Sequence, residues 1–321
     1  MKQRIITGTI LVLILTPIII FPLFLEVFQV LMTIFTVVAS YEMLRMYETE
    51  KKFRLATKIG IILLSVGTFA SVGGVWGNYT HNPLDANGLL SITIPLITVI
   101  LLSFLVLFKD FNGDDVGKAL VIINYVGLGA ASIVILRFLG VRFIVYLLLI
   151  TTATDVFAYF FGIRFGKRKL APHISPKKSW EGAIWGSIMA TIIASTFALG
   201  YGTFFSPETA FGAFFNPGGE KTLLQNFSTL GETKAIWIQG FILVPITLVA
   251  TIVAQIGDLV ASRLKRTYDI KDFGTILPGH GGLMDRFDSV LFVAMFLAAV
   301  FILIYRLFPA YIIAAWKTYI F

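Results

Sequence analysis

Apolar residues run along this chain in blocks, with polar residues gathered in the short intervals between them. The blocks approach the length of about 20 residues that crosses a bilayer as a helix. Nine are predicted: Ile5–Ile20, Phe24–Leu44, Ile59–Trp76, Ser91–Phe108, Ala119–Leu139, Phe143–Gly162, Glu181–Tyr201, Ala235–Gly257 and Ser289–Leu307. Pro17 and Pro22 divide the first long run in two, because proline ends or bends a helix. The pattern is that of an all-α polytopic integral membrane protein with about nine transmembrane helices. Lys2 and Arg4 lead into the first block without a clear cleavage site, which reads as an uncleaved anchor. The tail 308–321 is too short to span again, and its Tyr311, Trp316, Lys317 and Tyr319 suit a membrane interface.

Charge orients this arrangement. With the N-terminus cytoplasmic, the inner intervals hold about twenty of the 26 lysines and arginines and the outer ones the remaining six, as the positive-inside rule requires. Arg137 and Arg142 run against the trend. The two most basic intervals, loops 163–180 and 258–288, then share the cytoplasmic face, in a membrane of the bacterial inner (cytoplasmic) type. Residues 1–140 form an N-terminal transmembrane region and 141–321 a C-terminal catalytic region bearing both loops. The outer interval 202–234 and the interval 77–90 read as solvated connectors, with His81 a loop histidine.

Composition narrows the chemistry. The chain is 57% hydrophobic and 14% charged, where a soluble domain carries about 25% charged residues. It has no cysteine, which excludes disulfides, zinc thiolates and a thiol nucleophile. The net charge of +8 lies in the inter-span loops, so it speaks for membrane orientation and against a nucleic-acid partner. No Walker loop, dinucleotide fingerprint or GxSxG elbow is present.

The candidate chemistry sits in the two basic loops. Asp285 and Asp288 are three residues apart before an apolar run, so at a helix start they share a face. Beside Gly281 and Gly282 they could hold a divalent cation, which prefers carboxylate and phosphate oxygens. They could equally complement a helix N-terminus. Asp258, at the end of the preceding block, joins this candidate metal set or is an interfacial carboxylate. Lys265, Arg266 and Lys271 are suited to phosphate, or to ordinary inner-face charge. Glycines around His280 allow close backbone approach to a ligand. Asp155 lies inside an apolar block, where a carboxylate is a functional candidate by default. Ser175, Lys177, Lys178 and Ser179 lead into a helix near Trp180, and with its first amides they offer an anion cradle. An ion-coupled transporter built on Asp155 and Asp258 is a rival reading.

The segment Ser262–Asp288 resembles the signature of the phosphatidate cytidylyltransferases: S-x-hydrophobic-K-R, four residues, K-D-x-G, then LPGHGG, then D-R-x-D. The stretch from Asp155 to Gly162 and SPKKSWEG, with Glu181, are similar to the same family. The resemblance implies transfer of a cytidylyl group from CTP to phosphatidate, giving CDP-diacylglycerol and pyrophosphate. It implies Mg²⁺ held by Asp258, Asp285 and Asp288, potassium associated with the same centre, and phosphate binding by Lys265, Arg266 and Lys271. Asp272, Arg286, His280, Gly281 and Gly282 belong to the same motif and are substrate-binding candidates. A homodimer is compatible with the chain, and a CTP-dependent lipid kinase is the nearer rival.

Overall fold

The computed structural model describes residues 13, 15–73, 87–232, 235–277, 279 and 281–309. His81, His280 and most of the first predicted span lie outside them. Seven helices among the described residues are long and apolar enough to cross a membrane. They are α1 (Leu25–Tyr47), α2 (Leu55–Gly73), α4 (Gly113–Leu139), α5 (Val141–Phe165), α6 (Trp180–Leu199), α9 (Ile236–Thr267) and α10 (Met284–Leu307). An apolar helix α3 (Asn87–Leu107) stands where Ser91–Phe108 is predicted. Two short helices, α7 (Tyr201–Phe204) and α8 (Ala210–Phe215), follow α6. The fold is not purely helical. Strands β1 (Lys169–Ala171) and β2 (Ser175–Ser179) pair antiparallel, with Lys169 opposite Ser179 and Ala171 opposite Ser175.

The chain forms two compact units, neither continuous in sequence: Met1–Phe138 with Val260–Met295, and Leu139–Leu259 with Phe296–Phe321. In the first unit, α1, α2 and α4 pack through small residues. Gly127 of α4 lies so close to α2 that a Cβ there would meet the Ser65 carbonyl at 2.6 Å. Ser40 of α1 donates to Ser65 at 3.0 Å. Residues Ile123–Leu128 of α4 form a π-helical turn, and Tyr125 within it donates its hydroxyl to the Asp288 carbonyl at 3.0 Å. Helix α4 begins six residues before the predicted start. Asn112 and Asp115 make a reciprocal capping box there, which satisfies two otherwise orphaned amides.

Ion pairs gather the polar intervals of this unit at one face. Lys51 meets Asp115 at 2.5 Å, Lys118 meets Glu50 at 2.9 Å and Arg54 meets Asp110 at 2.6 Å. The Tyr47 and Tyr268 rings, 5.0 Å apart, bring the interval after α9 to the same face. Arg137 is buried and donates to the Ile20 and Phe21 carbonyls. It caps a chain turn instead of marking a side of the membrane, which removes its force as an exception to the charge rule.

In the second unit, α5 and α6 pack tightly through glycines. A Cβ on Gly186 would meet the Ala158 backbone nitrogen at 2.9 Å. Thr247 of α9 links Tyr146 of α5 at 2.6 Å and Ser195 of α6 at 3.1 Å. Phe301 of α10 packs edge-on against Phe143 and Phe227. Arg142 is also buried and donates to the Gln225 carbonyl at 2.7 Å. The interval 202–232 corrects the expectation of a solvated connector. Leu223, Leu224 and Phe227 are buried, and the Asn216 side chain ties Phe205 to Glu220. Its Phe227 packs against Phe143 and Phe301, and the Leu223 amide donates to the Ala198 carbonyl, so the interval is folded onto the helices.

Candidate active site

The first predicted cluster forms in the first unit. Helix α9 runs on to Thr267, because Ala-Ser-Arg-Leu-Lys-Arg contains good helix formers and neither glycine nor proline. The polar loop therefore begins ten residues later than predicted, and Asp258 lies within a helix instead of at its end. The helix stops where Asp269 takes a left-handed conformation at φ 51°. The Ile270 amide then returns to the Lys265 carbonyl at 2.9 Å, a C-terminal closure that satisfies a last-turn carbonyl.

The loop folds back on itself at Leu277, whose amide donates to the Gly281 carbonyl at 2.9 Å. Gly279 and Gly281 carry positive φ of 76° and 85°, a conformation that side chains with a Cβ resist. This turn borders a cavity of about 530 Å³ lined by Lys271, Asp272, Gly274, Thr275, Leu277, Gly279, Gly281 and Arg286. Four residues singled out by the sequence thus line one cavity: Lys271, Asp272, Gly281 and Arg286.

Asp285 holds the cavity wall. Its Oδ2 accepts the Phe273 amide at 2.8 Å and the Gly282 amide at 3.0 Å, and its Oδ1 accepts Lys265 Nζ at 2.7 Å. The side chain is 5% exposed. Such a carboxylate binds the loop to the helix start, so its helix-terminal role is realised. Lys265 Nζ also lies 5.0 Å from the centre of the Phe273 ring, within cation–π range. Asp288 is buried one turn further along α10, and its Oδ1 accepts the Ser289 amide. Arg266 is exposed and donates to the Ile270 carbonyl at 3.3 Å, where it braces the loop.

Glu42 is a member of this cluster that sequence reasoning missed. It projects from α1 and is 2% exposed. Its Oε1 accepts the Leu283 amide at 3.1 Å and its Oε2 the Met284 amide at 2.9 Å. A carboxylate inside an apolar block was the available signal, by the same rule that selects Asp155.

The second cluster forms in the second unit. Lys178 of β2 pairs with Asp258 of α9, and Asp155 of α5 lies within electrostatic reach of both. In sequence Asp155 and Asp258 are joined only in the transporter reading, and Lys178 stands apart from both. The SPKKS stretch forms strand β2 and leads directly into α6, which begins at Trp180. Of its residues only Ser179 serves the helix, accepting the Gly182 amide at 3.2 Å as the N-cap of α6. Ser175 stays in the ladder and Lys177 is exposed. Glu181 accepts the backbone amides of Lys167 and Arg168 at 3.0 and 3.2 Å, which closes the base of the hairpin. Among the described residues no group of three histidine, aspartate or glutamate side chains is set to hold a metal ion.

The Cytidylyltransferase family profile matches residues 2–304. The chain is similar to the phosphatidate cytidylyltransferase of Bacillus subtilis (strain 168), at 34% identity over 310 residues, 92% of this chain and 96% of the relative. It is similar to the protein of the same name from Staphylococcus epidermidis, at 32% identity over 295 residues, 91% of this chain and 96% of the relative. That from Staphylococcus haemolyticus is 37% identical over 198 residues, covering 61% of this chain and 64% of the relative. With a match over nearly its whole length, the chain belongs to the cytidylyltransferase family.

Proposed function

We propose that the protein transfers the cytidylyl group of CTP to phosphatidate, forming CDP-diacylglycerol and releasing pyrophosphate for phospholipid synthesis. A phosphate oxygen of the lipid attacks the α-phosphorus of CTP. The bond to the β-phosphate breaks, and its electrons leave with pyrophosphate. The attacking oxygen is already ionised at neutral pH, so the site needs no general base. Its tasks are to position two anions and to offset their charge.

The observation that carries the reading is the cavity walled by Lys271, Arg286 and the glycine turn, with Lys265 beside it on Asp285. Lysine supplies a point charge and arginine a planar fork to phosphate oxygens. Positive φ at Gly279 and Gly281 turns the backbone along the cavity edge, a path a residue with a Cβ resists. The acyl chains stay in the bilayer while the headgroup meets CTP at the cytoplasmic face. That orientation, with the N-terminus cytoplasmic, about nine spans and an inner-membrane location, is part of the proposal. So is self-association as a homodimer.

We carry Mg²⁺ as part of the proposal, with Asp258, Asp285 and Asp288 as the ligands the family resemblance implies. The donors are carboxylate oxygens, the kind Mg²⁺ prefers. Asp285 and Asp258 are each paired with an ammonium, that of Lys265 or Lys178, which a bound Mg²⁺ would have to displace. A bound Mg²⁺ would supply neutralisation of the phosphates. Potassium is carried in the same way as an accompanying ion.

The test uses purified protein in lipid micelles with CTP labelled in the cytosine ring, phosphatidate and Mg²⁺. Label should enter the lipid phase with one pyrophosphate released per lipid, and chelation of Mg²⁺ should stop it. Label remaining wholly in water overturns the transferase. Release of CDP with no labelled lipid identifies a CTP-dependent kinase instead.

A further inference from the structure

We infer that Glu42 is a positioning residue for the reacting loop, acting from α1 on a turn some 240 residues away. The inference rests on the transferase reading above for its kinetic part and on geometry alone for the rest. A helix start leaves its first amides without partners. Before α10 the chain reads Gly281-Gly282-Leu283, which offers no side-chain oxygen to fill that need. Two carboxylates fill it in sequence. The Gly282 amide goes to Asp285 Oδ2, the Leu283 amide to Glu42 Oε1 and the Met284 amide to Glu42 Oε2. Three consecutive amides are thus held by two acids, one local and one distant.

The glycines of the loop make room for the distant acid. A Cβ on Gly282 would fall 2.6 Å from both Glu42 oxygens, and one on Gly274 would collide with Oε1. These two positions are glycine for a reason separate from backbone conformation, since neither has a positive φ. Glu42 therefore lies against Gly274 on one side of the turn and Gly282 on the other, and its hydrogen bonds to Leu283 and Met284 clamp the turn where it enters α10. Asp285, which holds Lys265, and Gly281, which lines the cavity, follow the position of that clamp. Glutamine at 42 keeps the shape but replaces one acceptor with an NH₂ donor aimed at an amide.

The experiment compares wild type, Glu42→Asp, Glu42→Gln, Gly282→Ala and the Glu42→Gln/Gly282→Ala double variant in lipid micelles. Hydrogen–deuterium exchange is followed in peptides covering 271–286 and, as an internal reference, in the hairpin 166–179. Glu42→Gln should raise exchange in 271–286 by about tenfold or more and leave the hairpin unchanged. With labelled CTP and phosphatidate, kcat should fall about tenfold or more while both KM values move less than about threefold. Glu42→Asp, which keeps the charge, should recover part of kcat. The double variant should be no slower than the slower single variant, because both changes release one clamp. Wild-type exchange in 271–286 with wild-type kcat in Glu42→Gln overturns the inference. So does a loss spread evenly over the chain, or multiplicative losses in the double variant. If wild type transfers no label, the transferase reading fails, and the exchange arm still decides the role of Glu42. If Gly282→Ala does not fold, the Glu42→Asp and Glu42→Gln pair decides it.

Discussion

Both clusters place a lysine ammonium on an aspartate, yet they do so with different rigidity. In the glycine loop, Asp285 and Lys265 are 5% and 13% exposed, and Asp285 also accepts two backbone amides. In the hairpin, Asp258 and Lys178 are 31% and 26% exposed, and Asp155 lies within electrostatic reach of the same ammonium. The first pair is built into the backbone path. The second is a side-chain arrangement that solvent or a ligand can reach. A carboxylate that shapes a loop cannot be neutralised without reshaping it, whereas a shared lysine can be traded for another cation with the chain in place.

The strongest challenge to this contrast is Asp285→Asn. Removing one member of a buried pair costs about 3–5 kcal/mol, and turnover should fall about a thousandfold or more, while the protein remains monodisperse by size exclusion. Asp288→Asn should also abolish turnover. Near-normal rates in both would dissolve the proposed site. Next is Lys178→Ala, which leaves Asp155 and Asp258 with no lysine between them. A loss in kcat/KM of about ten- to a hundredfold is expected, with Lys178→Arg restoring much of it, since the pair needs charge more than shape. If arginine fails as badly as alanine, the hairpin pair is as rigid as the loop pair and the contrast is lost. Lys265→Ala should act chiefly through binding, raising KM for CTP or phosphatidate by about tenfold. Unchanged KM for both would contradict that role. Smallest is Asn112→Ala, a residue of neither cluster. Loss of the α4 cap should cost about 1 kcal/mol, seen as a lowered Tm with turnover preserved.

Much of this molecule can be read from its residue order. Of the nine apolar runs read as spans, seven coincide with helices long and apolar enough to cross a membrane among the described residues, because a bilayer admits few alternatives. Lys271, Asp272, Gly281 and Arg286 reach one cavity because charge near hydrocarbon must converge on something polar. The helix ends were less legible. Periodicity in hydropathy stops at Gly257, but the helix continues through residues that are polar and still good helix formers. SPKKS forms a strand despite lacking β-branched residues, because β1 pairs with it and Glu181 fixes the hairpin base. Glu42 was the costliest omission. Its role depends on a partner with no side chain at all, the backbone of Leu283 and Met284, and backbone amides leave no trace in a sequence.

That distance has a bearing on biogenesis. During synthesis Glu42 enters the translocon long before Leu283 and Met284 exist, so its acid must wait hydrated, protonated or paired elsewhere. Until α10 is made, the chain lacks the Leu283 and Met284 amides that Glu42 accepts in the finished fold, so the surroundings of this acid are completed only when synthesis passes residue 284.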